Sequence, residues 1–382
     1  MGKFIQGVFI LPLTAQDFSV DYRLEDELLG SVLTILDNHI DPYLKKGLVT
    51  AGCVVRLALD GKRLQMGLVY SYPCQSQYSD TVMTLTKALA KLDAIDEVEC
   101  EIDFVAPITA TAVEPINHVK QIIAIASGKG GVGKSTTAVN LALAMAQEGA
   151  KVGILDADIY GPSIPLMLGV SSFKPVSPDG KLMTAAESFG ITAQSIGFML
   201  TDDQAAAWRG PMAAGALLQL INETMWPELD YLFIDLPPGT GDIQLTLSQK
   251  VPVNGAVIVT TPQDIALADA QKGINLFQKV NTPVLGIIEN MSFHLCPECG
   301  HKDHPFGAHG GNKIAERYQV PLLGELPLQL DLRESMDNGA PLVVAAPDCE
   351  VAGIYRDIAR KIGASLVNQH IPQVSISIED DE

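Results

Sequence analysis

Two short stretches of this 382-residue chain hold side chains whose types and spacing can do chemistry. The first, GKGGVGKST at 128–136, satisfies the pattern G-x-x-x-x-G-K-[ST] through Gly128, Gly133, Lys134 and Ser135. Its glycines let backbone N–H groups approach phosphate oxygens at the positive end of the following helix. Lys134 would neutralise β- and γ-phosphate charge, and the Ser135 hydroxyl would ligate Mg2+. The second stretch, CPECGHKDHPFG at 296–307, places Cys296 and Cys299 two residues apart with His301 and His304 close behind. Those four could close a zinc knuckle within one chain, or the cysteines could be half of a site that two chains complete. A redox CxxC is the third possibility, but the pair does not open the helix of a thioredoxin-like unit.

Phosphate chemistry also needs carboxylates near the metal and the attacking water. LFIDLPPGTGD offers Asp235 at a strand end, the arrangement expected for Mg2+. LDADIYGPS offers Asp156, a second candidate for the metal, and Asp158, which suits placing a water. Helix N-capping is the plain alternative for any one of them.

These residues need a frame. From Lys120 onward, short apolar runs (QIIAIAS, KVGILD, YLFIDLP, GAVIVTTP, VLGIIEN) alternate with helical stretches such as KSTTAVNLALAMAQEG. This pattern predicts an α/β domain, a parallel sheet with helices on both faces, over residues 120–370. Ligands bind at the ends of such strands. In the helix after the loop, Ala138, Leu141, Ala142 and Met145 recur at core spacing. Before this domain, residues 1–105 read as a small α+β domain: helical LEDELLGSVLTILDNHI and DTVMTLTKALAKL, and strand-like VVRLAL, MGLVYSY and VECEIDF. APITATAVEPINHV (106–119) reads as a linker, and 371–382 as an acidic tail.

Composition narrows the function classes. The net charge is −19, and both halves are acidic: residues 1–110 carry 9 basic and 15 acidic side chains, the remainder 17 and 30. Polyanionic nucleic acid and anionic lipid would be repelled on average. Apolar runs such as VFILPL are far shorter than the ~20 residues of a membrane span. The N-terminal MGKFIQGVFILPLTAQDF has no signal-peptide layout, so the expected compartment is the reducing cytoplasm. Six cysteines are too few for a disulfide scaffold.

The extra lysine in the loop, Lys129, makes GKGGVGKST resemble the deviant Walker A loop of the MinD/ParA/nitrogenase-iron-protein class of P-loop NTPases. With LDADIYGPSIP, WRGPM, DLPPGTGD, TTPQDIALADA, ENMS and CPECG in this order, the chain resembles the Mrp (ApbC-type) iron–sulfur cluster carrier family nearly end to end. That resemblance implies an ATPase in which Lys129 crosses a homodimer interface to the partner's nucleotide, so that Lys129, Lys134 and Asp158 serve hydrolysis. Gly128, Lys129, Gly130, Gly131, Val132, Gly133, Lys134, Ser135 and Thr136 would line the nucleotide, Asn290 would read adenine, and the Asp242 region would sense the γ-phosphate. It implies Mg2+ on Ser135, Asp156 and Asp235.

In such a dimer, two CxxC pairs facing across a two-fold axis would supply four thiolates, the ligand set of a [4Fe–4S] cluster. The implied partners are a second copy, cluster scaffolds and apo iron–sulfur proteins, with no nucleic acid or membrane. The N-terminal part resembles the small domain fused to many bacterial members, but Asp41-Pro42-Tyr43 stands where they often show Asp-Pro-Glu. Cys74 lies near where some relatives carry a cysteine; Cys53 and Cys100 read as small buried hydrophobes. The rival reading is a MinD/ParA-like spatial-organisation ATPase with a structural zinc knuckle, which the acidic tail and net charge disfavour.

Overall fold

The computed structural model describes residues 4–5, 8–11, 20–108, 113–199 and 210–369. The acidic tail, Trp208-Arg209 of the WRGPM motif and the middle of the linker lie outside these residues.

Six strands, β1 (Phe4–Ile5), β2 (Val8–Leu11), β3 (Asp21–Arg23), β4 (Val54–Asp60), β5 (Arg63–Tyr70) and β6 (Glu97–Phe104), form one sheet in the order β1-β2-β6-β5-β4-β3. Helices Asp26–Asn38 and Tyr78–Leu89 accompany it. They share a core that includes Val32, Leu36, Leu57, Met66, Val82 and Leu85. Cys53, Cys74 and Cys100 are all buried. Burial pushes the Cys53 thiol up to about 12 and raises the other two, so all three are neutral packing groups at physiological pH.

The second sheet begins with β7 (Val119–Ala126) and continues with β8 (Val152–Asp156), β9 (Ala186–Ser188), β10 (Ile191–Ser195), β11 (Leu229–Asp235), β12 (Gly255–Thr260), β13 (Val284–Leu295), β14 (Lys302–Asp303) and β15 (Leu322–Pro327). Their order is β14-β13-β12-β7-β11-β8-β10-β9, with β15 also pairing β13. The inner pairings are parallel, while β9 and β14 join antiparallel at the margins. The expected parallel sheet is therefore mixed at its edges. The strands β9, β10, β14 and β15 have runs too short or too polar to stand out in the sequence.

Alternate residues of β7 enter opposite cores: Ile123 and Ile125 face one layer, Ile122, Ala124 and Ala126 the other. This is the pattern of a strand covered on both faces. Helix Lys134–Gln147 is buried on more than the predicted stripe, because Val139, Leu143 and Ala144 are enclosed as well. The sheet covers one side, and the C-terminal helix Glu350–Gln369 packs against it.

That C-terminal helix also carries the small domain. Glu148, at the far end of the helix that follows the phosphate loop, is fully buried. Its carboxylate accepts from Ser76 N–H (3.0 Å), Ser76 Oγ (2.8 Å) and Arg360 Nη1 (2.6 Å). Arg360 Nε donates to the Tyr43 hydroxyl at 2.7 Å, and that hydroxyl donates to Asp357 at 2.9 Å. Tyr43 is thus part of the seam between the domains. Asp41 accepts from Tyr43 N–H, Leu44 N–H and the Tyr72 hydroxyl, closing the turn beneath it.

Among the described residues no helix is long and apolar enough to cross a membrane.

Candidate functional site

Strand β7 ends at Ala126 and the helix resumes at Lys134, so residues 127–133 make the turn between them. Gly131 (φ 81°) and Gly133 (φ 79°) adopt the left-handed conformation that side chains disfavour. Gly128 has a different reason to lack a Cβ: the backbone of Asp269, in helix Asp264–Lys279, occupies that space. Ser127 Oγ donates to the Lys129 carbonyl at 2.9 Å and braces the turn. The result is a cavity of about 210 Å3 lined by Lys129, Gly131, Lys134, Ser135, Thr136 and Asp158, among others.

Lys134 is nearly buried, with its ammonium 2.6 Å from Asp235 Oδ1, 3.2 Å from Ser135 Oγ and 3.9 Å from Asp158 Oδ2. Asp235 is fully enclosed, and among the described residues its Oδ2 has no hydrogen-bond partner. A buried carboxylate oxygen without a donor is costly, and it suits a cation. Asp158 lines the cavity, and burial raises its carboxyl above the usual range although Lys134 opposes this.

Asp156 is held by several donors. It pairs in register with Asp235 on the adjacent strand. Its Oδ2 accepts from Ser163 N–H, Ile164 N–H and Ser195 Oγ, and its Oδ1 accepts from Asp158 N–H. Both oxygens therefore already accept hydrogen bonds that hold residues 156–164 in place ahead of helix Ile164–Met167. Burial and the neighbouring Asp235 push its carboxyl up to about 7, outweighing these hydrogen bonds.

Asn290, on β13, is buried against the loop. Its Nδ2 donates to the Val132 carbonyl at 2.8 Å and its Oδ1 accepts from Met291 N–H at 2.9 Å. The amide is thus a strut under the phosphate loop, a contact that motif reading missed because no local spacing encodes it. Helix Asp242–Lys250 starts where a γ-phosphate sensor was expected, but the Asp242 side chain lies outside the description.

Beyond Asn290 the same strand leads to the cysteines. Cys296 and Cys299 sit on one turn closed by Gly300 N–H to the Cys296 carbonyl and Cys296 N–H to the His301 carbonyl, each 2.9 Å. Gly300 is left-handed (φ 69°). N–H groups of Cys299 and Glu298, then the Cys299 thiol, face the Cys296 sulfur and hold its pKa below the ordinary value. His304 Nδ1 bonds the Ser292 carbonyl at 2.7 Å, and His294 pairs with Asp303 at 3.0 Å. Among the described residues no three His, Cys, Asp or Glu side chains gather into a metal-holding group. The structure brings together the two sulfurs and leaves His301 and His304 outside the pair. One side of Cys296 opens on a groove of about 490 Å3 bounded by Phe293, Leu295, Leu330, Val351 and Ile354.

A mostly parallel sheet with a glycine loop and an enclosed lysine between its first strand and helix defines a P-loop NTPase. Residues 118–363 match the family model described as "ParA: NUBPL iron-transfer P-loop NTPase", and the chain belongs to that family. It is 50% identical over 343 residues to the "Iron-sulfur cluster carrier protein" of Salmonella typhimurium, covering 89% of this chain and 93% of that one. It is 49% identical over 251 residues to the "Iron-sulfur cluster transfer protein NUBPL" of Mus musculus, covering 65% and 78%. A solved nucleotide-binding protein from Archaeoglobus fulgidus, in complex with ADP, is similar with a TM-score of 0.55 and 38% identity, over 63% of this chain and 93% of that one.

Proposed function

We propose that this chain is an ATP-hydrolysing carrier that holds a [4Fe–4S] cluster between two copies and passes it to apo-proteins. The observation that carries this reading is the joining of two sites by one strand: the Asn290 strut under the phosphate loop and, six residues on, Cys296 of the paired cysteines. Similarity to named carriers over most of the chain supports the same reading.

At the phosphate loop, Lys134 would exchange Asp235 for β- and γ-phosphate oxygens. Ser135 and Asp235, whose Oδ2 is unpartnered among the described residues, fit Mg2+; Asp156, whose oxygens already accept from Asp158, Ser163, Ile164 and Ser195, would sit behind them. The ion, when bound, would neutralise charge on those phosphate oxygens. Asp158, at the cavity wall, would orient the attacking water, and Lys129 would reach the partner's nucleotide. At the other end of β13, the N–H groups that lower the Cys296 pKa favour its thiolate, the form that binds iron. A second copy would supply the remaining two thiolates.

Anaerobic reconstitution of the full chain is expected to give about four iron per dimer, lost in Cys296→Ala/Cys299→Ala. Iron retained by that double variant would remove the site. Stoichiometric zinc without iron would favour a chain-local knuckle and a spatial-organisation role.

A further inference from the structure

Strand β13 is not regular along its length. It pairs with β15 up to Glu289, resumes at Phe293, and in between Met291 takes φ 53°. A left-handed residue that is not glycine is uncommon, and such outliers persist where their surroundings over-determine them. Here the surroundings belong to two sites. On one side Asn290 accepts the Met291 N–H and donates to the Val132 carbonyl. The Met291 methyl carbon lies against Gly133, within 3.8 Å of where a Cβ would sit. On the other side Ser292 Oγ donates to the buried Glu289 at 2.6 Å, and its carbonyl holds His304, the far end of the cysteine loop.

The Val132 carbonyl and the Gly133 N–H are two edges of one planar peptide group and point in opposite directions. By fixing the carbonyl, Asn290 fixes the direction of an N–H in the phosphate-binding turn. Any ligand that rotates this peptide must move the Asn290 amide, and with it the Met291 N–H.

We propose that the Asn290–Met291 kink is the coupling element through which nucleotide on the phosphate loop sets the accessibility of Cys296 and Cys299, with Met291 as a positioning residue. This inference rests on the carrier reading above and supplies its regulation. From Met291 to Cys296 the chain is five residues, roughly 17 Å when extended. A rotation at the kink therefore displaces the hairpin as a lever rather than being absorbed by a long loop. The His304–Ser292 bond carries the loop's other end with it.

The test uses the full, reduced, metal-free chain. Maleimide labelling rates at Cys296 and Cys299 are read by peptide mass spectrometry, with and without Mg2+ and a non-hydrolysable ATP analogue. In the unmodified protein the analogue should change these rates about fivefold or more, the lower range of allosteric coupling. Met291→Gly, which accepts the left-handed turn without its lateral contact, should bind the analogue within about threefold of the parent and show less than a twofold response. Light scattering must show both proteins in the same oligomeric state, so that burial at an interface is not mistaken for the kink. An unchanged labelling rate in the parent with analogue bound overturns the proposal, and so does a parent-like response in Met291→Gly. Should that variant not fold, amide exchange over residues 291–304 of the parent decides: exchange that is indifferent to the analogue refutes the coupling. A parent chain that binds no nucleotide would remove the carrier reading itself, and the inference with it.

Discussion

Glu148→Ala removes the hub of the contact between the two domains, and its cost can be worked from the geometry. The carboxylate is fully buried and receives two hydrogen bonds from Ser76 and one from Arg360. Arg360 is only 8% exposed, and without Glu148 its nearest remaining carboxylate is Asp357 at 4.0 Å. Stranding one member of a buried ion pair costs about 3–5 kcal/mol. Asp357 and the Tyr43 hydroxyl compensate in part, so about 3 kcal/mol is expected. Most of this falls on the seam, since Arg360 and Ser76 belong to different domains. At ~1.4 kcal/mol per tenfold, the small domain should detach roughly a hundred times more often. Limited proteolysis within residues 106–119 should accelerate accordingly, and the onset of thermal unfolding should fall by several degrees. Glu148→Ala/Arg360→Met should cost at least about 1 kcal/mol less than the sum of the single changes. Cleavage and melting indistinguishable from the parent in Glu148→Ala would refute the view that this pair fastens the domains.

Three further outcomes follow from the nucleotide site. Lys134→Ala should reduce ATP hydrolysis by about a hundredfold or more; it should also lower the melting temperature by several degrees, because Asp235 is left enclosed beside Asp156 without its cation. Gly133→Ala should weaken nucleotide binding more than about tenfold in a fluorescent-nucleotide titration while preserving the fold, since φ 79° resists a side chain and the Asn290 amide fills the space. Asp156 binds its proton more tightly folded than unfolded, so its contribution is complete below its unfolded value of 3.8 and is lost as pH rises through about 7. Urea titrations should therefore show the parent losing stability relative to Asp156→Asn across that window, by on the order of 4 kcal/mol at most.

Local pattern carried the nucleotide loop, the alternation of strand and helix, and the paired cysteines, because each is written within a dozen residues. The contacts that join those parts were not legible. Asn290 and Val132 are 158 residues apart, and Glu148 and Arg360 are 212 apart. No periodicity records pairings at that range. Asp156 shows the same limit: its place at a strand end is written locally, but its donors Ser163, Ile164 and Ser195 are not. The continuation of β13 through ENMS to Leu295 was hidden for a similar reason: Asn290, Ser292 and His294 interrupt the apolar run that marks a buried strand.

The seam treats the two domains unequally. Ala364, on the C-terminal helix, is counted within the small domain's own core, and Val367 packs against it. The small domain therefore takes part of its wall from the larger one. Viewed from the other side, Ser76 and Tyr43 of the small domain lie against Glu148 and Arg360. Uncovered, they would be an ordinary hydrated ion pair, which contributes little either way. Loss of the N-terminal segment in a descendant would leave the nucleotide-binding half without a stranded charge, whereas the small domain released alone would show a raw apolar edge.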